Sequence, residues 1–475
     1  MRTNLFSFLI LFITLAFYIF FACYDGAVIC VDSPTYINMD YSREPFYPLF
    51  LAFFRMFNSQ NYLFYAVMVQ SIFMAFFSWL LADYLKRHLK IHNLYSMLLY
   101  IFPIATSLLC RFAAKRGSMY TNSILTEGIC TSFYLFFIYC VLKYLWDKSK
   151  KHLFFAWLTA FLLISTRKQM LMVLPILFFV VFIANYRRYG LWKVTILAGV
   201  ICCLTLPAFK LFDHSYNYFL RGSFQGHTSS NRFISTMVFY NSTDTDASYI
   251  NDTDIKNLFL EIYNTCYKKG ILSINAEDGW FEEVNHFGDH YDHIQIDTMY
   301  PMIYQRAQMN IDEKYLEQNL TDDDIRGLYN YETDRITSVI ISSVLPHQIP
   351  QLLKTLFYNF LSGIVLTVAQ LKPIFIPYTI IMFFAYLILL GNLVYHCYKE
   401  RTSPIGTLYA KNIVFSIITL LGILSNVLLV SSVIFCQTRY TIYNMPLFYM
   451  AGALLLYENG KMIFSKRLRQ NIPST

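Results

Sequence analysis

The chain has 475 residues, of which 56% are hydrophobic, 18% aromatic and 14% charged. A soluble protein of this length carries about 25% charged residues, so the composition excludes a soluble enzyme with a single hydrophobic tail. The formal net charge of +8 is unevenly spread: residues 210–350 hold 21 acidic and 10 basic residues, the rest of the chain 9 acidic and 28 basic. One acidic, polar block therefore interrupts a basic, apolar chain, and the positive-inside rule accounts for the basic excess without nucleic acid.

Apolar runs predict membrane spans near 4–22, 62–83, 94–110, 121–145, 153–166, 169–185, 194–209, 374–397, 412–435 and 441–457. The first has one charge ahead of it, Arg2, and is too long for a signal-peptide core, so it reads as a retained helix. With the N-terminus inside, the clusters Lys86/Arg87/Lys90, Lys148/Lys150/Lys151, Arg187/Arg188/Lys193, Lys399/Arg401/Lys411 and Lys461/Lys466/Arg467/Arg469 all fall on the cytoplasmic side. An eleventh apolar segment, 351–371, would invert the last three helices if it crossed. It is expected to lie on the outer surface as an amphipathic helix. Six of the ten cysteines lie in or beside apolar helices, where cysteine acts as a small hydrophobe. A Cys23–Cys30 bridge is left open.

On this topology the outer loops break the charge rule. Arg111, Lys115, Arg116, Arg167, Lys168 and Arg439 are cations on the outer side, close to the acidic block. One such residue is explained by snorkelling to headgroups; six together suggest a site for a phosphate-bearing lipid.

The first outer loop reads VDSPTYINMDYSREPFYPLF from Val31 to Phe50, with Asp32-Ser33-x-x-Tyr36 and Arg43-x-Pro45-x-Tyr47-Pro48 opening the next apolar run. Further on come Glu127 in YTNSILTEG, Arg167 in STRKQMLMVLP and Arg439-Tyr440 in CQTRYTIYNMPLF. In order and outer placement these motifs resemble the GT-C glycosyltransferases that use polyprenyl-phosphate sugars, a group that includes the protein mannosyltransferases and the aminoarabinose transferase of lipid A. The resemblance covers the first two hundred residues and the last sixty or so. Where the family commonly has Asp-Glu, this chain has Asp32-Ser33, which puts the role of that Glu in doubt or moves it to Asp40 or Glu44.

The chemistry of sugar transfer from a lipid-linked phosphate asks for the same residue types. A carboxylate must take the acceptor's proton, and fixed cations, preferably arginines, must hold the charge growing on the leaving phosphate. A single base opposite the leaving group gives inversion without a retaining carboxylate pair. Asp32 is the expected base, with Asp40 as second candidate and Asp25 behind it. Arg439, Arg167, Lys115, Arg116 and Arg111 are the donor-phosphate candidates, and Tyr36, Arg43, Glu127 and Tyr440 the positioning ones. The plain alternative for Asp32 is a residue that ends a helix ahead of a Ser33-Pro34 turn.

In the acidic block, HFGDHYDH sets His286, His290 and His293 at i, i+4 and i+7, one face of a helix. Such a set can bind zinc or another divalent ion, and a divalent metal is the one cofactor left open. A solvated polar loop is the simpler reading. Asp322-Asp323-Asp324 reads as a helix start, and the sequons at Asn241, Asn251 and Asn319 are within chance. The sequence holds no Walker loop, GxGxxG, GxSxG or HExxH, which disfavours an ATP-driven pump and a nucleotide-sugar enzyme.

The expectation is a polytopic α-helical membrane protein, GT-C-like, with about ten spans. An N-terminal membrane module (1–209) is followed by an outer block with its surface helix (210–372), α/β or mainly helical, between the seventh and eighth spans, and then by C-terminal helices (373–475). It is expected in a bacterial cytoplasmic membrane, with its site on the outer face. Expected partners are a polyprenyl-phosphate sugar, membrane lipid and a glycan, lipid or protein acceptor, with no nucleic acid. The rivals are a glycan polymerase or ligase using a diphosphate-linked donor, a non-enzymatic lipid-linked-sugar carrier or flippase, and a membrane scaffold.

Overall fold

A computed structural model describes residues 2–113, 117–228, 231–315 and 322–470. Long apolar runs leave the backbone no partner but itself, and the helix satisfies every N–H and C=O locally. The membrane part opens with α1 (Arg2–Asp25), a short α2 (Ser33–Ile37) and α3 (Phe46–Phe57), followed by α4 (Tyr62–His88), α5 (Asn93–Ala113), α6 (Thr126–Asp147), α7 (Lys150–Thr166) and α8 (Val173–Arg221). Next come α9 (Asn231–Tyr240), α10 (Thr253–Lys268), α11 (Trp280–Ile294), α12 (Tyr300–Tyr315) and α13 (Asp322–Val344). The chain returns through α14 (Ile349–Val368), α15 (Phe375–Lys399), α16 (Pro404–Ser431), a one-turn α17 (Thr438–Thr441) and α18 (Met445–Gln470).

Among the described residues eight segments are long and apolar enough to cross a membrane, as in a multi-pass membrane protein, one of them a 54-residue stretch from Lys168 to Arg221. That stretch folds back on itself. Gly190, at φ 74° and ψ 174°, breaks the helical path, a conformation open to glycine at little cost, and the Cys202 thiol then reaches the Leu174 carbonyl at 3.5 Å. Two helices expected to cross are not among the eight. The first, α7, has 17 residues. The second, α18, carries Glu458 and Lys461 in its second half.

Contacts between helices define two ends of the bundle. At the basic end His88 meets Asp147 at 3.4 Å and Lys411 at 3.2 Å, and Tyr95 donates to the Ala453 carbonyl at 2.6 Å. At the opposite end Asn426 donates to the Tyr440 carbonyl at 2.7 Å and Tyr134 to Asn444 at 2.9 Å. Both ends of α14 lie at this second end, although its length and composition would allow a crossing. Near its start Thr355 bonds Asn241 of α9 at 3.0 Å, and at its finish the Leu366 and Val368 carbonyls accept from Thr441 and Tyr449 at 2.9 and 2.6 Å. Gly363 permits that seat, because a Cβ there would stand 2.5 Å from Val427 and 2.9 Å from the Cys436 sulfur.

The block α9–α13 has its own core, built on Phe239, Phe259, Phe287, Tyr291, Ile336 and Ile340. Its described residues form helices joined by loops, with no strand among them, so the α/β alternative does not hold. Phe435, from the loop ahead of α17, plugs into this core, 5.0 Å from the Tyr291 ring. The outer block is thereby fastened next to the segment that carries Arg439.

Candidate active site

The first loop is held in shape by backbone bonds to the start of α6. Val28 N–H donates to the Asn122 carbonyl at 2.9 Å, and Ile124 N–H to the Val28 carbonyl at 3.0 Å. Ser33 completes the clamp: its buried hydroxyl donates to the Ile124 carbonyl at 2.9 Å and accepts the Cys30 N–H at 2.7 Å. Ser33 thus does structural work that a glutamate could not do, since an ionised carboxylate has no proton to give the carbonyl. Asp32, directly before it, is left at the mouth of the loop.

Arg43 folds back across α2. Its Nε donates to Thr35 at 2.7 Å, Nη1 to the Tyr36 hydroxyl at 3.2 Å and Nη2 to Asp32 Oδ1 at 3.0 Å, with the guanidinium 4.4 Å from the Tyr36 ring centre. The other Asp32 oxygen, Oδ2, accepts from Arg439 Nη2 at 3.2 Å. Arg439 in turn donates through Nε to Glu127 Oε1 at 2.8 Å, and that same oxygen accepts from Arg167 Nη1 at 2.6 Å. Five groups from four separate segments therefore form one chain: Arg43, Asp32, Arg439, Glu127, Arg167. Tyr440 stacks against both Arg167 and Arg439, its ring centre 4.9 and 5.3 Å from their guanidiniums.

Exposure differs among these groups. The Glu127 side chain is 0% exposed, Arg167 17%, Arg439 24% and Asp32 32%. Glu127 lies beneath, at the head of α6, fixing two arginines, and Asp32 opens upward. Three guanidiniums against two carboxylates leave the chain one net positive charge. Burial pushes the Asp32 carboxyl up, but Arg43 and Arg439 outweigh it and hold it below the ordinary carboxylate value. Glu127 beside Arg439 raises that guanidinium further, so it stays charged.

Of the residues expected in a site, Asp32, Tyr36, Arg43, Glu127, Arg167, Arg439 and Tyr440 are brought together. Asp40 stands apart, its oxygens taken by the Ser42 N–H and hydroxyl at 2.9 and 2.7 Å and by Arg326 of α13 at 2.9 Å. It joins the loop to the outer block rather than facing Arg439. Arg111 also lies elsewhere, paired with Asp25 and 4.8 Å from the Phe21 ring centre. Lys115 and Arg116 lie outside the described residues.

His286, His290 and His293 do share α11, but they do not converge on one point. His286 meets the Tyr240 hydroxyl at 3.2 Å and His293 meets Asp297 at 2.7 Å. Among the described residues no group of three or more His, Cys, Asp or Glu can hold a metal ion. The three rings neighbour one another, His290 standing 4.4 Å from His286 and 6.0 Å from His293 between ring centres, but they do not form such a group.

Two contributors went unread in the sequence. Gln169 and Asn426 both donate to the Tyr440 carbonyl at 2.7 Å, holding the backbone beside Arg439. The signal was available for Asn426, a fully buried amide in the apolar run of α16.

Comparison with protein-family models, with curated proteins and with solved structures gives no match to this chain.

Proposed function

We propose that the chain is an integral membrane glycosyltransferase of GT-C type. It takes a sugar from a polyprenyl-phosphate donor and transfers it, with inversion, to a glycan, lipid or protein acceptor. The observation that carries this reading is the direct contact of Asp32 with Arg439 and Arg43: a carboxylate able to accept a proton lies beside cations able to hold a phosphate. The basic end of the bundle suits a cytoplasmic side, and on this reading the charged chain and the block α9–α13 face the outer side of a bacterial cytoplasmic membrane.

The net charge of the chain favours one phosphate over two. A sugar phosphodiester carries one negative charge, which the net positive charge of the five groups balances. In transfer the acceptor O–H loses its proton to Asp32 as the oxygen bonds to the anomeric carbon. The bond from that carbon to the phosphate oxygen breaks, and the lipid phosphate leaves with a second negative charge. Neutralising Asp32 raises the site to two positive charges at that step, so balance is kept. A diphosphate donor begins one charge beyond what these groups offset.

The resting contact also implies an order. Asp32 is a weak base while Arg439 holds its Oδ2. A donor phosphate competing for that guanidinium releases the oxygen and strengthens the base, so donor precedes acceptor. The test is transfer from a polyprenyl-phosphate sugar by Asp32→Asn protein that expresses and melts as wild type does. A loss of at least about 100-fold is expected of a missing general base; unchanged transfer refutes the assignment. A lipid carrier would tolerate Asp32→Asn and fail instead with Arg439→Ala in a lipid-transport assay. Lipid-linked intermediates that accumulate without the gene separate monophosphate from diphosphate donors.

A further inference from the structure

Two residues of the charged chain have a neighbour in sequence that joins them from behind. Arg43 is followed by Glu44, and Arg167 by Lys168. Glu44 Oε1 accepts the Lys168 backbone N–H at 3.1 Å, so the loop bearing Arg43 is tied to the turn bearing Arg167. The same oxygen lies 3.8 Å from His227 Nε2. His227 is 4% exposed, and its other ring nitrogen stands 2.8 Å from Asp213 Oδ2. That carboxylate oxygen accepts the His227 backbone N–H as well, at 3.0 Å.

This linkage is built for close approach. At Gly226 a Cβ would lie 3.0 Å from Asp213 Oδ2 and 3.2 Å from the His214 ring, so only glycine brings the segment in without displacing either group. Two residues further on, Thr228 donates its N–H to the Tyr41 carbonyl at 2.8 Å, and Arg221 lies over the Tyr41 ring at 4.0 Å. The segment from the end of α8 to residue 228 thus grips the first loop from Met39 to Glu44.

We infer that Glu44, backed by His227 and Asp213, is a positioning residue that fixes the separation of Arg43 and Arg167 and so the width of the anion clamp. It touches neither reacting atom nor phosphate, and acts through its neighbour Arg43. The ligand half of this inference rests on the proposed function, while the mechanical half does not.

The experiment uses full-length protein in detergent, as wild type, Glu44→Ala, Glu44→Gln and His227→Ala. Two readouts are needed: amide hydrogen exchange over residues 39–48 and 167–170, and affinity for farnesyl phosphate as a lipid-monophosphate probe. Glu44→Ala and His227→Ala are expected to speed exchange in both segments. Glu44→Ala is expected to weaken the probe about tenfold, the size of one lost hydrogen bond. Glu44→Gln keeps an acceptor for the Lys168 N–H and is expected to restore most of that affinity, which a general loss of stability would not allow. Unchanged exchange in Glu44→Ala overturns the linkage whatever the affinity, and equal affinity in wild type and Glu44→Ala overturns its bearing on the clamp. If exchange rises as expected and wild type does not bind the probe, the linkage stands and the clamp role falls together with the phosphate-donor reading.

Discussion

The charged chain around Arg439 and the histidine face of α11 start from similar material, a handful of titratable side chains at one end of the bundle, and differ in how they are assembled. In the first, the groups arrive from the loop before α3, the head of α6, the turn after α7 and α17, and every cation meets a carboxylate at 3.2 Å or less. In the second, all three rings come from one helix and two of them turn to partners of their own, Tyr240 and Asp297. Even spacing along a helix gives a shared face and no focal point. Convergence needs backbones entering from different directions, as they do around Arg439. The difference also shows in cost: drawing two carboxylates and three guanidiniums out of water is unfavourable unless each is paired, so the chain around Arg439 is a burden that packing alone does not call for.

The largest effect should come from its most buried member. Glu127→Ala leaves Arg167 and Arg439 without their shared carboxylate in a site where Glu127 is wholly buried. A loss of about 3–5 kcal/mol is expected, the usual consequence of removing one partner of a buried ion pair, and is read from denaturation in detergent. A loss below about 1 kcal/mol would mean that solvent or a neighbour screens the arginines, and the contrast with α11 would weaken.

Arg439→Lys sharpens the same contrast with a gentler change. Lysine keeps the charge but has one nitrogen where arginine uses Nε for Glu127 and Nη2 for Asp32. Farnesyl phosphate affinity is expected to fall about tenfold, for one lost charge-assisted contact. Arg111→Lys, at a cation paired with Asp25 outside the chain, serves as control and should leave that affinity unchanged. Equal losses from both substitutions would reduce the site to general surface charge.

Much of the site was legible because a charge beside an apolar run is expensive and therefore conspicuous. Asp32, Glu127, Arg167 and Arg439 all sit where a helix ends or begins, and the charge rule alone put them on one side. The back-folding of α8 was also visible, since Arg187, Arg188 and Gly190 break its apolar run. What stayed hidden depends on contacts between distant segments. No local feature tells that Ser33 clamps Ile124, that Asp40 is taken by Arg326 nearly three hundred residues on, or that Glu44 reaches the backbone of Lys168. The outer block failed differently: its helical periodicity was readable, but its polar composition left strand and helix equally open until the core of Phe239, Phe259 and Phe287 closed.

The smallest effect tests the other side of the comparison. Replacing His286, His290 and His293 together by alanine removes the Tyr240 contact and the half-exposed pair with Asp297. Exposed pairs contribute about 0–1 kcal/mol each, so the triple variant should melt within about 1 kcal/mol of wild type. Treating wild type with a strong chelator should leave its melting unshifted, because a bound divalent ion would stabilise the folded form in proportion to its occupancy. A marked drop on chelation that disappears in the triple variant would show that the α11 histidines find a further ligand after all. Charged groups would then converge at two points in this protein, and the asymmetry between site and domain would no longer hold.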